Sequence, residues 1–189
     1  MTFRGPTLTV VVVACVASLA LVAAGCGGDD DSSSAAPAEE WADSFCSDLS
    51  TWTHDLEAAA DPLTDLSSLS EESIRQAAED AKTATETLAE SMRSLGPPDT
   101  SSGDQVESSV EDLATELESG AQELEDAVAD VSSVADVPAA LGTITTTLAD
   151  LGREVGSALQ TIGDADASGE LETAFEEADS CGELTDSSG

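Results

Sequence analysis

The chain has 189 residues, with 40 Asp and Glu against five Lys and Arg, for a formal net charge of −35. An excess of that size repels phosphates, which excludes nucleic acid and anionic headgroups as electrostatic partners. It admits cationic partners or diffuse counter-ions, and the bulk of it serves to solvate the surface.

Met1-Thr-Phe-Arg4 sets one positive charge ahead of an uninterrupted apolar run, LTVVVVACVASLALVAA, from Leu8 to Ala24. The run closes in small residues at Gly25-Cys26, the pattern of a secretory signal with a cysteine at the cut. Its 17 residues are at the short edge of what spans a bilayer, and a spanning helix has no need to stop at a cysteine followed by a polar tail. Ala23-Ala24-Gly25-Cys26 resembles the lipobox of bacterial lipoproteins, with Ala23 standing where that family usually has Leu, Val or Ile. The resemblance implies that residues 1–25 are a signal peptide removed by signal peptidase II, and that Cys26 carries diacylglycerol. Two or three acyl chains (palmitate or similar) give stable attachment where one is marginal, so the expected location is the outer face of the cell membrane.

Cys26 is followed by GGDDDSSSAAPA, through Ala38. Glycine, serine and three adjacent aspartates cannot bury a core, so residues 26–38 read as a lipidated cysteine on a flexible, self-repelling tether. Loss of residues 1–25 leaves 164 residues and takes the net charge from −35 to −36, because Arg4 goes and no acid does. That length suits one domain, predicted over 39–185, with 186–189 as a disordered tail.

The domain reads as helices throughout. Trp41, Phe45, Leu49, Trp52, Leu56 and Ala59 step by four and three, with Pro62 just beyond. Ser70 is the expected cap of a second helix, with Leu69 positioned to staple onto Ile74. Its stripe is Ile74, Ala78, Ala81, Thr85, Leu88, Met92 and Leu95, ending at Gly96-Pro97-Pro98. Ser102 and Gln105 form a candidate capping box for a third helix. Its stripe runs from Val106 through Val110, Leu113, Leu117, Gly120, Leu124, Ala127 and Val131 to Val134. Pro138 suits a first helical turn, and the fourth stripe follows: Leu141, Ile144, Leu148, Leu151, Val155, Leu159 and Ile162. A short last helix carries Leu171, Phe175, Ala178 and Cys181. Stripes about three-sevenths wide predict an all-α fold, an antiparallel bundle of four to five helices with short loops. Ala, Thr and Ser at many inward positions imply close helix approach and a thin core.

Cys15 leaves with the signal and Cys26 is lipidated, so Cys46 and Cys181 remain for one disulfide in an oxidising compartment. The bond would join the start of the domain to its end. The aromatics agree, because Trp41, Phe45 and Trp52 lie in the first segment, Phe175 lies in the last, and large rings cluster.

Residues that carry chemistry are few. His54 is the only histidine and falls off the apolar stripe, with no nucleophile signature beside it. Zinc would need Cys46, Cys181 and His54 together, in competition with the disulfide. Gly152-xxx-Gly156, with Gly142, reads as a helix-pairing face or as tolerated glycines. Asp164-Ala-Asp166-Ala-Ser168-Gly169-Glu170-Leu171 resembles the first eight positions of an EF-hand loop. Asp164, Asp166 and Ser168 are thus the candidate metal ligands. The twelfth position, a bidentate glutamate in that family, is Phe175, so any calcium binding is expected to be weak. The alternative is a turn that caps the last helix.

The CGGDDDS tether, the early Trp and Cys, the Leu95-Gly-Pro-Pro-Asp99 connector and the late Cys together resemble small exported actinobacterial lipoproteins. That resemblance implies a helical protein without an assigned activity. The expected function is a lipid-anchored cell-envelope module, a non-enzymatic binding or structural one, that meets an envelope protein or polymer. The alternative is a cation- or ligand-binding lipoprotein that uses the acidic surface and the Asp164–Gly169 loop. Beyond the covalent lipid, no cofactor is expected.

Overall fold

A computed structural model describes residues 35–63, 69–129 and 131–182, and residues 33–189 form a compact unit of their own. Among the described residues the chain runs through α1 (Ala38–Ala60), α2 (Glu71–Ser94), α3 (Gly103–Ala129), α4 (Val137–Ala165) and α5 (Glu170–Glu177). A 3-10 turn, Asp61–Leu63, follows α1. The fold is an antiparallel helical bundle in which α2 packs on α1 and α3, α3 packs on α4, and α5 packs on α1.

The helix punctuation follows the sequence closely. Pro37 precedes α1 without a side-chain cap, and Glu39 and Glu40 in the first turn complement the exposed N–H groups there. Ser70 caps α2 as expected, although its box partner is Ser73: each backbone N–H donates to the other's hydroxyl, at 3.1 and 2.9 Å. Gly96 ends α2 in a left-handed conformation with φ of 63°. At the start of α3 the Ser102 hydroxyl lies 3.4 Å from that of Thr100, while the Ser102 carbonyl accepts from Gln105 and Val106. The structure therefore departs from the Ser102–Gln105 box.

Two glycines are required by close approach. A Cβ on Gly103 would overlap the carbonyl oxygen of Pro98, and one on Gly120 would collide with the Leu151 side chain. The second lets α3 and α4 approach where Leu151 is buried.

The core divides lengthwise. One cluster holds the large side chains, including Trp41, Phe45, Trp52, Leu88, Met92, Leu117, Ile162 and Leu171. The other is smaller in grain, with Ala59, Ile74, Ala78, Ala81, Leu124, Val128 and Ile144. The many buried alanines of α2 make the core as thin as the composition predicts. Thr85 is fully buried because it is bonded: its hydroxyl accepts from the Trp52 indole at 3.2 Å and donates to the Ala81 carbonyl at 2.8 Å.

Two large side chains of the expected stripes are exposed. Val134 is 67% exposed, because α3 ends at Ala129 and helical periodicity no longer governs the chain beyond it. The turn there is fixed by Asp136, whose carboxylate accepts from the N–H and hydroxyl of Ser133 at 3.0 and 2.9 Å. Leu159 is 39% exposed on α4. The tether boundary also differs, since the Ala36 N–H donates to the Pro97 carbonyl at 3.2 Å and its carbonyl accepts from Asp99 at 2.7 Å. Fixed structure thus begins before the predicted end of the tether at residue 38.

The four bases within the described residues are all engaged with acids. Lys82 bridges to Glu125 at 2.7 Å and Glu86 at 3.6 Å, Arg93 pairs with Glu118, Arg75 with Glu72, and Arg153 with Asp150. Lys82 and Arg93 thereby tie α2 to α3. No helix among the described residues is long and apolar enough to cross a membrane.

Candidate functional site

The chemically distinctive residues gather at the end of the bundle where α1, α5 and the close of α4 converge. Trp41 stacks on Phe45 at 5.3 Å between ring centroids, one helical turn apart. Phe175 meets both rings edge-on at 6.1 Å, so α5 is docked onto α1 by aromatic packing. Beside them Cys46 and Cys181 are joined in a disulfide, with Cα atoms 5.0 Å apart, across a sequence separation of 135. Asp43 completes the clamp, accepting from the Ser180 hydroxyl at 2.5 Å through its carboxylate while its backbone carbonyl lies 2.8 Å from the same hydroxyl. On the chain-entropy model a closure of this length stabilises by about 4–5 kcal/mol.

The loop with the calcium-like pattern is occupied by another task. The Asp166 carboxylate accepts from the backbone N–H groups of Leu171 and Glu172, at 2.9 and 3.0 Å, and so caps α5. Its other oxygen lies 3.1 Å from the Ser168 hydroxyl, which is also 2.9 Å from a Glu170 oxygen. Gly169 takes φ of 72°, turning the chain into the helix. Partial desolvation pushes the Asp166 carboxyl up, and the Glu172 N–H, the Ser168 hydroxyl and the Leu171 N–H outweigh it, so its pKa lies below the ordinary carboxylate value. Asp164, two residues earlier in the last turn of α4, is exposed. Among the described residues no group of three His, Cys, Asp or Glu side chains is arranged to hold a metal ion. What this loop does structurally is capping, with Phe175 drawn into the aromatic cluster.

His54 is exposed on α1, and Cys46 is committed to the disulfide. The expected lipidation residue, Cys26, lies outside the described residues.

One feature lay outside the sequence reading. Leu159, Gly163, Leu171, Phe175 and Cys181 line a groove of about 620 Å³ between the end of α4 and α5. Asp166, Glu172 and Glu176 bring three carboxylates to the same groove. Periodicity alone assigns Leu159 to the core. The signal that could have marked it was its company, since Gly156 and Gly163 flank it on α4, and a Cβ at either would meet nothing within 4 Å.

No family model, curated protein or solved structure matches this chain.

Proposed function

We propose that the protein is an exported lipoprotein, anchored through diacylglycerol on Cys26, whose bundle is a non-enzymatic binding or structural module for an envelope protein or polymer. The observation that carries the reading is the Cys46–Cys181 bond. Such bonds persist in oxidising compartments, and this one leaves Cys26 as the single cysteine of the mature chain free to take a lipid. The anchored chain would carry a net charge of −36, attractive to cationic partners and repulsive to phosphate.

Metabolic labelling with a fatty-acid probe tests the anchor. Wild type should take up label and enter the membrane fraction, and Cys26→Ser should do neither. Equal label on both proteins would overturn the reading. A second reading, a ligand-binding lipoprotein, is favoured by the groove at Leu159 and Phe175.

A further inference from the structure

We infer that the groove between α4 and α5 receives a small amphipathic cation, an apolar body of roughly ten carbons carrying an ammonium head. The inference deepens the binding-module reading and rests on it only in taking the bundle to bind a ligand and not to transform it.

The volume is the first argument. About 620 Å³ lies within the range of small-molecule sites. The lining is the second. Leu159 and Phe175 offer apolar surface to the groove, and Leu159 is one of two large hydrophobic side chains left exposed among the described residues. The other, Val134, belongs to the turn after α3.

Charge then selects the occupant. Glu172 and Glu176 stand one turn apart on α5, both exposed, and the four described bases are all engaged with acids elsewhere. An anionic amphiphile would meet three carboxylates and a net charge of −35. A neutral apolar molecule would cover carboxylates without compensating them, which is unfavourable. A cation satisfies both demands, with its head between Glu172 and Glu176 and its body on Leu159. The Phe175 ring adds the attraction of an aromatic face for an ammonium group.

Gly163 supplies the last point. A Cβ there would meet nothing within 4 Å, so local packing does not require glycine, and glycine weakens the helix that contains it. Its absent side chain leaves the groove open.

The test is calorimetric titration of the oxidised mature chain, carrying Cys26→Ser, with decyltrimethylammonium below its micelle concentration in detergent-free buffer. One saturable site is expected. Gly163→Met and Leu159→Gln leave the net charge unchanged, and each should weaken that site at least tenfold while the melting temperature holds or rises for Gly163→Met. Glu172→Gln with Glu176→Gln should weaken it similarly, and decyl sulfate and decyl maltoside should not occupy it. Uptake without saturation, or unchanged by Gly163→Met, would overturn the proposal as diffuse counter-ion binding. Binding that emerges only after deletion of residues 183–189 would give the groove to the chain's own end. A dimer that Leu159→Gln dissociates would give it to a second copy. None of these outcomes bears on fatty-acid labelling at Cys26, so the two readings fail separately.

Discussion

Trp41 and Gly96 stand 55 positions apart, and the Trp41 indole Nε1 donates to the Gly96 carbonyl at 2.9 Å. The bond fixes the first helix to the turn that ends the second. The Ala36–Pro97 and Asp99–Ala36 bonds lie beside it, so the Leu95–Asp99 connector is a strap across the start of α1. Trp41→Phe keeps the ring and leaves the partly buried carbonyl without its donor. It should lower unfolding free energy by about 1–3 kcal/mol. Urea denaturation would show this as a lower midpoint at unchanged slope.

Glycines on facing helices should respond in opposite directions. Gly120→Ala forces a Cβ against Leu151 and should destabilise by about 1–3 kcal/mol. Gly152→Ala, in open space on α4, should stabilise by about 0.5–1 kcal/mol. Thermal melts of both variants check the pair. Gly120→Ala combined with Leu151→Ala would show less than the additive loss, because the collision is removed with its partner.

Most of the fold was legible in the sequence, for identifiable reasons. Steps of three and four from Trp41 to Trp52, a serine at 70, and Gly96-Pro97-Pro98 are local signals, and they define local structure. Leu159 has the same spacing as Leu151, yet one is exposed and the other buried. Periodicity identifies an apolar face without saying how many neighbours cover it, and α4 packs chiefly on α3. The Asp164–Leu171 loop makes the same point for a site. A motif counts oxygen donors, whereas their direction depends on which backbone N–H groups lie nearest, and here those belong to Leu171 and Glu172. The Trp41–Gly96 bond had no sequence signal, because nothing local relates two residues that far apart.

Acid should loosen the α5 end. The Asp166 pKa is depressed in the folded state, so its contribution is present above the unfolded value near 4 and is lost as pH falls through the lower folded value. Asp136 behaves alike, held down by the Ser133 hydroxyl and the Ser132 N–H. Asp48 opposes them, since burial raises its pKa against a bond from Ser91, so its protonation favours the folded state as pH falls. Asp166→Asn should flatten the decline of unfolding free energy between about pH 5 and pH 2 while costing little at pH 7, as Asn also caps helices well. A wild-type slope retained in the variant would contradict this.

Salt and calcium should act differently on this chain. Repulsion among 40 acids is screened as the Debye length falls from about 30 Å at 0.01 M to about 3 Å at 1 M, so monovalent salt should raise the melting temperature smoothly. Calcium at matched ionic strength should add little, with Asp166 engaged as a cap and Phe175 where the bidentate ligand would stand. A saturable calcium increment that vanishes in Asp164→Ala would instead establish a site at Asp164, Asp166 and Ser168.

The Cys46–Cys181 bond also sets how this chain carries load. Tension applied at the two ends of the oxidised protein passes from α1 to the terminal segment through one covalent link, bypassing α2, α3, α4 and α5. Those helices can bear binding surfaces without ever being pulled apart. Reduction would release the 135-residue separation as hidden length, about 450–490 Å when fully extended. A single thiol exchange would thus turn a short, stiff connection into a long, slack one.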